Sequence, residues 1–184
     1  MGFVTHRIGR AATPRDYAMC AAASSGQESY SLAIILKEGG AKLAGWRTEL
    51  IGTDISNEIL ARAKEGRYSQ FEVQRGMPIQ LLVKYFEKDG EHWRIKDDIR
   101  NMVRYQFFNL LDEPKSLGNF DVVFCRNVLI YFDQPTKKAV LERIAALMPE
   151  DGLLFLGGAE TVLGITDKFE PVPGQRGIYR LSGN

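Results

Sequence analysis

The stretch "CAAASSGQESYS" (residues 20–31) decides how this chain reads: a run of small residues, a glycine at Gly26, a carboxylate at Glu28, then a return to apolar periodicity. A short apolar segment, "DYAMCAAA" (16–23), leads into it as a buried strand. "ESYSLAIILKEGG" (28–40) follows with apolar residues at helical spacing and a Gly39-Gly40 stop. Strand, bare turn and helix form the first unit of a doubly wound, mostly parallel α/β sheet, which binds ligands at the carboxyl ends of its strands.

The rest of the chain repeats that grammar. "TELIGTDIS" (48–56) is a second buried strand ending at Asp54, and Ser56 caps a helix over "NEILARAKEGRY" that Gly66 closes. "PIQLLVKYFEKDG" (78–90) reads as a helix entered at Pro78. "HWRIKDDIRNMVRYQFFNLLDE" (92–113) alternates in two short pieces, a small hairpin running into a strand. "FDVVFCRNVLIYF" (120–132) is a buried strand with its exit loop, "QPTKKAVLERIAALMPEDG" (134–152) an amphipathic helix closed by Gly152, and "LLFLGG" (153–158) a further strand. "FEPV" and "GIYRL" pair as a terminal antiparallel hairpin.

The first turn selects a ligand class. A dinucleotide turn would show G-x-G-x-x-G and aim helix N–H groups at a pyrophosphate, whereas this turn has Gly26 alone and places Glu28 there. A carboxylate suits a helix N-terminus but repels a phosphate at the same spot. The ligand is then cationic or rich in hydroxyls, and S-adenosylmethionine (SAM) is both. Asp54, closing the second strand, stands where doubly wound sheets grip ribose hydroxyls. Taken singly, Glu28 could serve only the helix dipole and Asp54 only a turn; together and in order they favour an adenosyl-methionine pocket.

Composition narrows the classes. At 184 residues, with 45% hydrophobic and 26% charged, the chain fits one globular domain. A formal net charge of +1 carries no footprint for nucleic acid or an anionic membrane. Cys20 and Cys125 lie in apolar runs without C-x-x-C spacing, so two buried thiols in a cytoplasmic protein are expected, with no metal site. No apolar run approaches the ~18 residues of a membrane span. There is no Gly-x-Ser-x-Gly elbow and no Cys-His pair. Methyl transfer to an ionised carboxylate needs none of these, only alignment of nucleophile, methyl and sulfur.

Five stretches carry a further pattern: "CAAASSGQESYSLA", "GTDISNEILARAKEGRYS", "FFNLLDE", "FDVVFCRNVLIYFD" and "GLLFLGGAET". In order and spacing they resemble the chemotaxis-receptor glutamate methyltransferases (CheR), over roughly residues 16–181. The resemblance implies a class I SAM-dependent, Rossmann-like methyltransferase domain over 16–184, with a small inserted β-subdomain at about 88–107 and a lead-in or N-terminal remnant at 1–15. It implies methyl transfer from SAM to glutamate side chains on the cytoplasmic domain of a chemoreceptor, leaving S-adenosylhomocysteine. By the same resemblance, Glu28 and Asp54 hold the amino-acid end and ribose of the cofactor. Asn109 and Leu110 frame the adenine, Arg126 and Asn127 line the methionyl side, and Tyr131 is the catalytic-site residue near the transferred methyl. The family's loop usually reads Gly-Glu-Glu-Pro where this one reads "GQES", and neither the family's N-terminal helical domain nor its "FFR"-type segment is seen here. The short link "EKDGEHWRIKDDI" implies the subtype that does not depend on a C-terminal receptor pentapeptide. Two other readings are a non-catalytic SAM-binding or protein-interaction module of this family, and a methyltransferase acting on nucleic acid. The latter is opposed by the near-neutral charge and by "RNVLIY" where Asn-Pro-Pro-Tyr would stand.

Overall fold

The backbone runs as alternating strands and helices from its first described residue. The computed structural model describes residues 15–45, 47–114 and 117–183; the expected lead-in lies outside them apart from Arg15. In chain order the elements are β1 (Arg15–Ala21), α1 (Gln27–Gly39), β2 (Arg47–Asp54), α2 (Asn57–Glu65), β3 (Arg67–Ser69), α3 (Gln70–Gln74), α4 (Ile79–Tyr85), β4 (Phe86–Asp89), β5 (His92–Ile95), α5 (Asp97–Arg100), β6 (Val103–Phe107), β7 (Val122–Cys125), α6 (Gln134–Ala146), β8 (Leu153–Leu156), β9 (Phe169–Pro171) and β10 (Ile178–Leu181).

Seven strands form one sheet in the order β6-β2-β1-β7-β8-β10-β9, and β3-β5-β4 form a second, three-stranded sheet. The first five strands of the large sheet run parallel, and β10 is antiparallel to both β8 and β9. This is the doubly wound α/β sheet expected from sequence, ending in the expected terminal hairpin. Alternate strand residues face opposite layers, as a pleated strand requires. Cys20, Leu50, Val122 and Phe124 meet Tyr30, Ile34 and Leu60 of α1 and α2, whereas Met19, Ile51, Val123 and Leu154 meet Val140, Leu141 and Ile144 of α6.

The caps read from sequence are where the chemistry predicts. The Ser56 hydroxyl accepts the Ile59 N–H at 3.2 Å, and Gly66 ends α2 in the left-handed conformation, φ 63°, where a side chain would strain the backbone. Three elements differ. The expected helix over 78–90 stops at Tyr85, because Phe86 turns inward and Phe86–Asp89 pairs with His92–Ile95 across Gly90. That hairpin, joined by the Gly90-Glu91 turn, has β3 as its third strand, whereas Val103–Phe107 joins the large sheet beside β2. Gly152 does not cap α6: the helix ends at Ala146, and the Gly152 N–H closes a separate turn onto the Pro149 carbonyl at 2.7 Å.

Candidate functional site

Pairing register brings five strand ends into line. Ala21 lies beside Thr53, Cys20 beside Phe124, Asp54 beside Phe107 and Cys125 beside Leu156. Strand β1 takes one neighbour from the next unit and the other from far along the chain, so its carboxyl end is the switch point where such sheets open a crevice. The loop leaving it is held in an uncommon shape. Ala22, Ser24 and Gly26 all have positive φ, at 61°, 51° and 86°, a conformation that non-glycine residues adopt at some cost.

Three neighbours hold that loop. From β2, the Thr53 carbonyl accepts the Ala23 N–H at 2.7 Å. The Asp54 carboxylate accepts the Ser24 N–H and the Ser56 N–H, both at 3.0 Å. From the small sheet, the Tyr68 hydroxyl donates to the Ser25 carbonyl at 2.8 Å. From β6, the Tyr105 ring lies so close that a Cβ on Gly26 would overlap its hydroxyl. Tyr30 packs edge-on to both, with centroids 6.5 Å and 5.8 Å away. Burial raises all three phenols above their ordinary range, so they stay neutral props.

The charged groups stand above this loop. Glu28, in the first turn of α1, pairs with Arg126, the first residue past β7, at 2.6 Å; their side chains are 27% and 46% exposed. They line one cleft of about 600 Å³ with Ala22, Ser24 and Asn127, and the opposed charges match the ammonium and carboxylate of an amino acid. Asn127 adopts φ 59°, which Asn tolerates better than most residues. Asp54 joins the group through Ser24. Each of its oxygens accepts one N–H, and a carboxylate oxygen accepts two, which leaves capacity for hydroxyls. Asn109 stands one strand over, its side-chain oxygen accepting the Leu111 N–H at 3.0 Å. Leu110 is half-buried against the α6-side core. Tyr131 ends a 3-10 turn beyond Asn127, 80% exposed, and does not line that cleft.

Two features were not read from sequence. The Glu160 carboxylate accepts four backbone N–H bonds, from Asn127 and Gly157 on one oxygen (2.8 and 2.7 Å) and from Val128 and Leu129 on the other (3.0 and 2.8 Å). Its signal was present in "GGAET": small residues at a strand end followed by an acid, the pattern of Gly26 and Glu28. The tyrosine props had no local signal, since Tyr68 and Tyr105 reach the loop from other elements. The two thiols lie beneath the site. Burial pushes Cys20 up to about 12 and raises Cys125, with the Glu160 and Glu28 carboxylates adding to the latter. Among the described residues, no group of three or more His, Cys, Asp or Glu could hold a metal ion.

Residues 4–178 match the family model described as "CheR methyltransferase, SAM binding domain". The chain is 40% identical over 165 residues to the "Chemotaxis protein methyltransferase Cher2" of Pseudomonas putida, covering 86% of this chain and 59% of that protein. It is 41% identical over 167 residues to "Chemotaxis protein methyltransferase 1" of Pseudomonas aeruginosa, covering 87% and 60%. The chain thus spans about 60% of the length of these relatives. Among solved structures it is similar to a DszA carbon methyltransferase, with TM-score 0.54 and 19% identity over 84% of this chain and 31% of that one. It is also similar to PKMT2 from Rickettsia typhi, with TM-score 0.50 and 16% identity over 77% and 20%. At these identities the likeness is one of fold.

Proposed function

The chain belongs to the CheR methyltransferase family, and from that membership we propose that it transfers a methyl group from SAM to glutamate side chains on the cytoplasmic domain of a chemoreceptor. The observation that carries the reading is the Glu28–Arg126 pair facing a bare, preformed loop at the carboxyl ends of β1 and β7. A zwitterion entering there replaces that direct contact with two of its own, its ammonium on Glu28 and its carboxylate on Arg126.

When bound, SAM supplies a methyl group on a sulfonium, which a carboxylate oxygen can take as the carbon–sulfur bond breaks, with no proton to remove. The chain's own residues therefore bind and orient. Glu28 holds the ammonium, and Arg126 with Asn127 the methionyl carboxylate side. Asp54 accepts the ribose hydroxyls with its remaining lone pairs, and Asn109 and Leu110 frame the adenine. Tyr131, exposed on the 3-10 turn that follows Asn127, stands near the transferred methyl. Opposite charges on acceptor and donor cancel in the reaction, so positioning rather than acid–base work limits the rate.

The domain extends over 16–184 with the small sheet inserted in it, and it acts in the cytoplasm, where the receptor's substrate face lies. Among the described residues, no helix is long and apolar enough to cross a membrane. The tight two-residue turn between β4 and β5 supports a subtype that does not depend on the receptor's C-terminal pentapeptide; tight binding of that peptide in a calorimetric titration would refute this. The primary test is calorimetry with S-adenosylhomocysteine, beside an Asp54→Ala variant, followed by transfer of labelled methyl to receptor cytoplasmic fragments. Roughly micromolar binding that the variant loses, together with alkali-labile methyl incorporation, is expected. Binding without transfer would assign the chain to a non-catalytic SAM-binding module instead.

A further inference from the structure

The turn that carries Arg126, Asn127 and Tyr131 has no regular strand or helix to hold it: β7 ends at Cys125, and a single 3-10 turn spans Leu129–Tyr131. Left-handed Asn127 aims three successive N–H groups, those of residues 127, 128 and 129, at one point. Converging amides of this kind form a concavity that binds an anion. Here the anion is built in. Glu160 lies four residues past the end of β8, and its two oxygens take two N–H bonds each, the fourth from Gly157. A carboxylate offers about four lone-pair sites, so this one is saturated. It has no acceptor left for a ligand and no role as a base. A Cβ on Gly157 would lie 2.7 Å from the Glu160 oxygen and 3.0 Å from the Asn127 side-chain amide, so a side chain there would have to push the Glu160 carboxylate off its N–H donors.

We propose that Glu160 is a positioning residue for the cofactor site: it locks the turn after β7 so that Arg126 stands opposite Glu28. Carboxyl ends of three strands are tied in sequence by this route. Glu160 joins β8 to the β7 turn, and Arg126 joins that turn to Glu28 at the start of α1. The inference rests on the SAM-binding reading, because the site it serves is the one assigned there.

The test is a coupling measurement on the full chain. In Glu160→Gln one oxygen becomes an NH₂ group that faces two N–H donors, so two amides lose their acceptor without a change in side-chain size. Two readouts are expected: S-adenosylhomocysteine affinity falls about tenfold or more, and amide exchange at residues 127–129, measured without ligand, accelerates by a similar factor. If Glu160 acts through Arg126, the same substitution in an Arg126→Ala background costs less than about threefold further. Additive losses in the double variant would overturn the role, as would equal affinity of Glu160→Gln and the unaltered chain. Failure of the unaltered chain to bind S-adenosylhomocysteine would instead overturn the methyltransferase reading, and the role with it. A Val140→Ala variant, which opens a cavity in the α6-side core but removes none of the turn's hydrogen bonds, should keep its affinity; if it loses as much as Glu160→Gln, the loss reports general loosening and the role falls.

Discussion

Replacing Gly26 with alanine tests whether the cofactor loop is held as rigidly as its contacts imply. Gly26 sits at φ 86°, and an added Cβ would overlap the Tyr105 hydroxyl while approaching Tyr105 Cζ at 3.1 Å and Ala63 Cβ at 3.2 Å. A left-handed non-glycine residue costs about 1–2 kcal/mol. Reduced freedom of the unfolded chain returns about 0.4–1 kcal/mol, and overpacking adds about 1–3 kcal/mol. The net expectation is a loss of about 3 kcal/mol, or a fall in Tm of roughly 6–12 °C for a domain of this size. Guanidinium unfolding gives the free energy directly. A Tyr105→Phe change in the Gly26→Ala background removes the overlapping oxygen, so it should recover the overpacking part and leave the backbone part. A Gly26→Ala protein within about 1 kcal/mol of the unaltered chain would refute the reasoning, since the loop would then be free to move away from β6.

Glu28→Gln and Arg126→Ala break an ion pair open to solvent, worth about 0–1 kcal/mol to the fold. Calorimetry should find Tm nearly unmoved while S-adenosylhomocysteine affinity falls about tenfold or more. Ser56→Ala removes the cap of α2 and should cost about 1 kcal/mol, read from the denaturant midpoint. Alkaline stability follows from Cys20, whose folded thiol is raised from its ordinary 9.0 to about 12. The unfolded chain releases that proton first, so stability is intact below about pH 9 and declines as pH rises toward 12. Cys20→Ala should flatten part of that decline, the remainder coming from Cys125 and the three tyrosines. Tyr68→Phe deletes the bond to the Ser25 carbonyl and should cost about 1 kcal/mol, with faster amide exchange through residues 23–26 as the accompanying sign.

How much could be read without coordinates depended on where each residue's partner lies. Asp54 and Glu28 were legible because their meaning is local: an acid at a strand end and an acid opening a helix. Ser56 and Gly66 were legible for the same reason, as caps act on their own helix. The helix placed over 78–90 ran five residues too far because Phe86 and Lys88 fit a helical face as well as a strand. The Asp89-Gly90 turn signal was outweighed by the periodicity before it. Strand β3 has three residues, too few to show a period, and exists only because β5 pairs with it. The tyrosine props act on a loop distant in sequence and nothing beside them betrays it; Glu160 carries a local sign in the glycines before it, yet three of its four donors lie on the turn after β7, which that sign does not name.

The placement of β1 has a consequence for how the chain is made. Its residue Ala18 pairs with Leu50 on one side and with Val122 on the other, so the first half of the sheet can assemble while the chain is still emerging from the ribosome, and the second cannot. Local pairings form first and distant ones wait for loop closure. Arg126 and Glu160 arrive with the late half, Glu28 and Asp54 with the early one. The pocket is therefore complete only once residue 160 has left the ribosome, and a nascent half-sheet, its β1 edge open beside α1, must reach that point without help from the ligand.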